Sequence, residues 1–137
     1  MLRLAATSPS MPVDHRILIA DDDRDFRLGL AELLGVLPRR LEFVEAETGL
    51  EALECLRRHA IDLALLDHHM PVHTGLDVIR ALRRETRAVP CLLISGDATD
   101  AVREFALHEG AVAVFNKPLR PELLRAEVRR VLRIDAA

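Results

Sequence analysis

Leu63-Ala64-Leu65-Leu66-Asp67-His68-His69-Met70-Pro71 decides how the rest of this chain is read. Four apolar residues run without alternation into one aspartate, and a proline follows shortly after. Three other runs behave in the same way. Ile17-Leu18-Ile19-Ala20 meets Asp21-Asp22-Asp23, Cys91-Leu92-Leu93-Ile94 meets Ser95-Gly96, and Val112-Ala113-Val114-Phe115 meets Asn116-Lys117-Pro118. Uniformly apolar runs of this length suit strands covered on both faces, as in a parallel sheet. Their carboxyl ends then lie side by side. That edge gathers a carboxylate cluster, a lone carboxylate, a hydroxyl and an ammonium.

Between the runs the period changes to that of helices. Phe26, Leu30, Leu33 and Leu34 lie on one face of a helix that Gly35 and Pro38 close. Residues 41–46 read as a further strand. Thr48 with Glu51 forms a capping box ahead of a helix that turns Leu53 and Leu56 inward. Thr74 and Asp77 cap the next, which buries Ile79 and Leu82. Asp97 or Asp100 caps the fourth, with Val102, Phe105 and Ala106 inward and Gly110 as its stop. Pro121 opens the last, which carries Leu124, Val128 and Val131. Five βα units without a Pro- or Ser-rich linker predict one α/β domain over residues 16–134. Its expected form is a doubly wound, flavodoxin-like sheet of five parallel strands, with helices on both faces and ligands bound at the strands' carboxyl ends. Residues 1–15, interrupted by Ser8, Pro9, Ser10 and Pro12, read as a disordered leader.

Composition narrows the function. The chain has 137 residues, enough for one domain with a proper core, and half of them are apolar. Its only aromatics are four Phe, so that core is mostly aliphatic. A net charge of −3 argues against a bulk electrostatic grip on nucleic acid or an anionic membrane. No apolar stretch approaches the length of a membrane span. Cys55 and Cys91 read as small core hydrophobes in a reducing cytoplasm, and not as a disulfide.

Crowded carboxylates repel and raise one another's pKa unless something neutralises them. Mg²⁺ does so with one or two carboxylates, waters and phosphate oxygens, and Asp21, Asp22 and Asp67 can supply the carboxylates. Capping the first helix accounts for Asp23 but leaves Asp67 unexplained. Asp67 can be a turn residue, or a nucleophile that attacks phosphorus in line. Lys117 and the Ser95 hydroxyl can then engage phosphoryl oxygens. Taken singly, Ser95 before Gly96 is ordinary turn chemistry and Lys117 an ordinary surface lysine. Their order at successive strand ends is what makes coincidence improbable.

Asp21-Asp22, Asp67 with Met70-Pro71 and Gly75 following, Ser95-Gly96, and Lys117-Pro118 after Gly110-Ala111 together resemble the receiver domain of two-component response regulators. The resemblance covers nearly the whole chain and implies strand order 2-1-3-4-5. It implies that Asp67 is the phosphoacceptor, charged by a histidine kinase or phosphotransfer protein, and that Mg²⁺ is the cofactor. Asp22 would bind the metal directly, Asp21 largely through water, and His69 through its backbone carbonyl. Ser95 would be the switch hydroxyl, Lys117 the counter-charge, and Gly96 a small residue that keeps the acceptor accessible. The Lys117–Pro118 bond matches one that is often cis. The domain would catalyse only its own phosphorylation and dephosphorylation, without binding nucleic acid or membrane. It would be a monomer or a weak phosphorylation-dependent dimer, and would signal through an unknown downstream protein or output domain.

The sequence departs from the family at Val114, where an aromatic usually couples to the switch hydroxyl; Phe115 beside it points to the other face. The last strand also lacks the Asp pair of one common receiver dimer. His68, His69 and His73 form a loop cluster, more in keeping with exposed histidines than with a transition-metal site. Asp67-His68-His69 also spells the motif of the DHH phosphoesterases, and haloacid dehalogenase-type phosphatases start from a similar acidic run. Both families need a longer chain, and Arg24-Asp25 breaks the Thr-containing continuation of the second. No Gly-rich loop supports nucleotide binding at the first strand. Taken literally, the chain is a stand-alone, chemotaxis-type receiver. The alternative is the receiver fragment of a longer regulator with a DNA-binding or enzymatic output.

Overall fold

A computed structural model describes residues 3–4 and 12–134. The strands are β1 (Arg3–Leu4), β2 (His15–Ala20), β3 (Leu41–Ala46), β4 (Leu63–Asp67), β5 (Cys91–Ser95) and β6 (Ala113–Asn116). The helices are α1 (Arg24–Leu34), α2 (Gly49–Arg58), α3 (Gly75–Arg84), α4 (Asp100–His108) and α5 (Pro121–Leu132). The sheet order is β1-β3-β2-β4-β5-β6, and β2 through β6 are all parallel. Counting those five alone, the order is 2-1-3-4-5, as expected.

Successive strand residues alternate between two cores, which explains the unbroken apolar runs. Leu18, Ala64, Leu66 and Leu93 face α2, α3 and α4, where Leu53, Leu56, Val78, Ile79 and Ala106 meet them. Ile17, Ile19, Leu63, Leu65 and Leu92 face α1 and α5 through Leu30, Leu34, Leu124 and Val128. Val114 belongs to the first core and Phe115 packs on the second, so their side chains do point to opposite faces.

Local signals place most helix ends. Asp23 caps α1 by accepting from the N–H groups of Asp25 and Phe26. Thr48 accepts from Glu51 N–H at the start of α2, while the Glu51 carboxylate accepts from Glu47 N–H. Thr74 and Asp77 form a complete capping box on α3. Gly110 ends the α4 segment with φ at 117°, a conformation that glycine adopts without strain.

Two helix expectations and one boundary are corrected. Thr99 caps α4, by accepting from Val102 N–H at 3.2 Å; neither Asp97 nor Asp100 does so. Asp97 is engaged elsewhere, as described below. Phe105 is exposed beneath the Arg80 guanidinium, which lies 5.9 Å from its ring centroid. The buried stripe of α4 runs through Ala106 and leaves Phe105 on its shoulder. Within the segment read as a disordered leader, Arg3–Leu4 pair antiparallel with β3 at Glu45 and Val44. That pairing covers an edge whose N–H and C=O groups would otherwise be open. β2 also starts at His15, one residue earlier than the expected domain boundary. The remainder of the leader before Pro12 lies outside the described residues.

Candidate functional site

The chain leaves β2 toward β3 on one side and returns to β4 on the other, so a crevice opens beyond the carboxyl ends of β2 and β4. Asp21 follows β2 directly and Asp67 is the last residue of β4. Both are buried, with 1% and 3% of their surface exposed, whereas Asp22 is exposed. One carboxylate oxygen from each of Asp21, Asp22 and Asp67 lies within 4.8 Å of the others.

Asp21 is held from every side. Its N–H donates to Ala46 O at 3.0 Å, its Oδ1 accepts from Asp23 N–H at 2.8 Å, and its Oδ2 accepts from Lys117 Nζ at 3.1 Å. Burial raises the Asp21 carboxyl above the usual aspartate range and the Asp67 charge adds to this, against the Asp23 N–H and Lys117. Among the described residues, Asp67 Oδ1 is buried without a hydrogen bond; Lys117 Nζ, 3.5 Å away, is its counter-charge. A buried carboxylate oxygen without a donor is costly, and a cation at this spot would remove the cost.

Lys117 reaches inward from the end of β6 past Phe26, whose ring centroid lies 4.1 Å from Nζ. Burial works against its charge, but the hydrogen bond and charge of Asp21, together with Asp67, outweigh that and hold its pKa above that of an ordinary lysine. The Lys117–Pro118 peptide is cis. Gly75, at the start of α3, passes so close to β4 that a Cβ there would lie 2.6 Å from Asp67 O. The loop after Asp67 can fold back this tightly only over glycine.

Ser95, wholly buried at the end of β5, donates from Oγ to Asp97 Oδ1 at 3.0 Å. His69 Nε2 lies 2.6 Å from the same Asp97 oxygen and 3.4 Å from Ser95 Oγ. First the His69 contact and then the Ser95 hydroxyl hold the Asp97 carboxyl below its usual range. A Cβ on Gly96 would meet nothing within 4 Å, so the approach beside Ser95 is open. His69 is thus not simply a solvated loop histidine. Asp97 entered the sequence reading only as a helix cap, and nothing local in the sequence marks its partnership with His69.

The structure therefore brings Asp21, Asp22, Asp67 and Lys117 together, with Ser95, Gly96 and His69 at the neighbouring strand ends. Sequence reading passed over Arg27, a buried arginine behind the acidic pair. It also passed over Arg103, whose Nη1 donates to Val114 O at 2.6 Å.

Residues 17–129 match the response regulator receiver domain family, and the chain belongs to that family. It is 34% identical over 119 residues to the transcriptional regulatory protein CpxR of Escherichia coli (strain K12), covering 87% of this chain and 50% of that protein. It is 32% identical over 120 residues to the cyclic di-GMP phosphodiesterase response regulator RpfG of Xanthomonas campestris pv. campestris (strain 8004), covering 86% of this chain and 32% of that protein. The chain thus spans about a third to a half of the length of these relatives. Among solved structures, it resembles the CheY-like response regulator receiver domain protein from Methanospirillum hungatei JF-1. The TM-score is 0.76 and the identity 26%, over 87% of this chain and 94% of that one. Among the described residues, no helix is long and apolar enough to cross a membrane.

Proposed function

We propose that Asp67 accepts the phosphoryl group in this receiver, from a histidine kinase phosphohistidine or a phosphotransfer protein, with Mg²⁺ as cofactor. One observation carries the assignment. Asp67 Oδ1 is buried and lacks a hydrogen bond among the described residues, within reach of Lys117 and the carboxylates of Asp21 and Asp22. In the transfer, an Asp67 carboxylate oxygen attacks phosphorus as the P–N bond to the donor imidazole breaks, and the imidazole retains the bonding pair.

Asp22, Asp67 and the His69 carbonyl would hold Mg²⁺, with Asp21 acting largely through water. When bound, the ion offsets negative charge on the phosphoryl oxygens. The ammonium of Lys117 turns from the carboxylates to a phosphoryl oxygen, and the Ser95 hydroxyl leaves Asp97 to donate to another. Gly96 leaves the donor's approach clear. Transfer onto its own side chain, and hydrolysis of the product, are the only reactions assigned to this domain. The occupied site would alter a surface read by a downstream protein or a linked output domain, with the domain a monomer or a weak phosphorylation-dependent dimer. The free, buried thiols of Cys55 and Cys91, raised to about 11 and about 12 by burial, fit a reducing cytoplasm.

Incubation with acetyl phosphate and Mg²⁺, followed by intact-mass measurement, tests the assignment. The protein gains one phosphoryl group, and the gain disappears with EDTA or in Asp67→Asn. No gain in the intact protein overturns the reading. Sustained turnover of a phosphomonoester or phosphodiester would point instead to a metal-dependent phosphoesterase.

A further inference from the structure

Arg27, on the second turn of α1, has only 2% of its surface exposed. Its Nε lies 2.9 Å from Glu45 Oε1 on β3, and Glu45 is itself 7% exposed. Nη2 lies 3.6 Å from the exposed carboxylate of Glu47. Nη1 donates to the backbone carbonyl of Asp21 at 2.6 Å. Burying such an ion pair costs desolvation that its mutual attraction often fails to recover, so a need for packing alone would be met by an apolar side chain. What a guanidinium supplies, and an apolar side chain cannot, is a planar fork that grips two acceptors at once.

One of those acceptors is the carbonyl of the peptide joining Asp21 to Asp22. That peptide is planar, so fixing its oxygen fixes the orientation of the Asp22 N–H and the direction in which the chain leaves Asp21. The Asp21 N–H is already tied to Ala46 O on β3. Arg27 closes the other side and anchors the same segment to β3 again, through Glu45. The two acidic residues thus stand on a backbone braced from below before any ion arrives.

We infer that Arg27, backed by Glu45, is a positioning residue for the metal site: its grip on the Asp21 carbonyl presets the spacing of Asp21 and Asp22. The inference rests on the reading that these two residues hold Mg²⁺. Loss of an outer partner of a metal ligand commonly weakens binding by about 10- to 100-fold. The cost should fall on metal affinity, because the polar partners of Arg27 are Glu45, Glu47 and the Asp21 carbonyl, and not Asp67 or Lys117.

The test uses Arg27→Met/Glu45→Met, which removes both buried charges together and leaves neither stranded, and Arg27→Lys, which keeps a charge beside Glu45 but lacks the fork. Mg²⁺ binding is measured by calorimetry, and phosphorylation by acetyl phosphate is followed as Mg²⁺ is varied. The expected result is a rise of roughly tenfold in half-saturating Mg²⁺ for the double variant, and a smaller rise for Arg27→Lys, with the rate at saturating Mg²⁺ near that of the parent. A purely structural role would lower the saturated rate or the melting temperature and leave Mg²⁺ affinity alone. Unchanged affinity in the double variant overturns the inference, and if that protein does not fold, unchanged affinity in Arg27→Lys does so. Failure of the parent protein to bind Mg²⁺ would instead overturn the metal-site reading itself.

Discussion

The Ser95 hydroxyl donates to Asp97 Oδ1 across 3.0 Å, so its single proton is already committed in the unphosphorylated protein. Ser95 can engage a phosphoryl oxygen only by releasing Asp97, and Asp97 is at the same time held by His69 at 2.6 Å. The Ser95 hydroxyl is thereby tied to the loop that leads into α4.

Removing the competing acceptor should favour the phosphorylated state. Asp97→Ala is expected to prolong the lifetime of the acyl phosphate severalfold, read by intact mass after the phosphodonor is removed. A lifetime equal to that of the parent would show that the Ser95–Asp97 bond does not oppose switching.

His69 stands over the same crevice, half-exposed and two residues from Asp67. Replacing its imidazole with the shorter amide in His69→Asn opens a path for water, so dephosphorylation should be faster. Because the proposed metal contact of His69 is its backbone carbonyl, half-saturating Mg²⁺ should stay the same. An unchanged dephosphorylation rate removes the shielding role.

The raised pKa of Asp21 has a sign. The folded protein binds a proton at Asp21 up to a higher pH than the unfolded chain, whose aspartate titrates near 3.8. Between those two values the folded state carries more protons, so stability falls as pH rises through that window. Above it, the metal-free protein bears the full cost of the buried charge. Asp21→Asn should therefore melt higher than the parent at neutral pH without metal, and the difference should shrink as pH falls toward 3.8. Added Mg²⁺ should raise the melting temperature of the parent more than that of Asp21→Asn.

Thr99, and not a neighbouring aspartate, caps α4. Thr99→Ala is expected to cost about 1 kcal/mol in urea unfolding. Asp100→Ala, which loses only a favourable charge in the first turn, should cost less.

Arg103 ties α4 to β6 through Val114 O at 2.6 Å, and Val114 is the residue at which the sequence departs from the aromatic expected of a receiver. A valine has no ring to swing, so any shift of α4 relative to β6 must strain or break this bond. Arg103→Ala should speed amide hydrogen exchange in α4 of the unphosphorylated protein. It should also reduce the further change that phosphorylation brings. Exchange identical to the parent in both states would show that α4 is not held there.

Much of this molecule is legible along the chain. Runs such as residues 63–66 are apolar at every position because both faces of the strand are covered, and that pattern implies a parallel sheet with helices on each side. The polar residues that end those runs sit at the carboxyl edge whatever the details of packing, so Asp21, Asp67, Ser95 and Lys117 could be nominated together. Caps such as Thr74–Asp77 are local, and local pattern finds them.

The rest depended on contacts between residues far apart in sequence. Arg27 meets Glu45 across 18 positions, His69 meets Asp97 across 28, and Lys117 meets Asp21 across 96. Nothing in the periodicity of α1 distinguishes a buried arginine from a solvated one, because burial there depends on an acceptor carried by β3. The same holds for Phe105, whose place on the inward face looked secure until the packing of α4 left it outside. Sequence by itself determined which chemical groups stand at the sheet edge, because strand ends are set by local apolar runs. Only the tertiary structure decided which groups hold one another, because each hydrogen bond needs a donor and an acceptor that only the folded chain brings within reach.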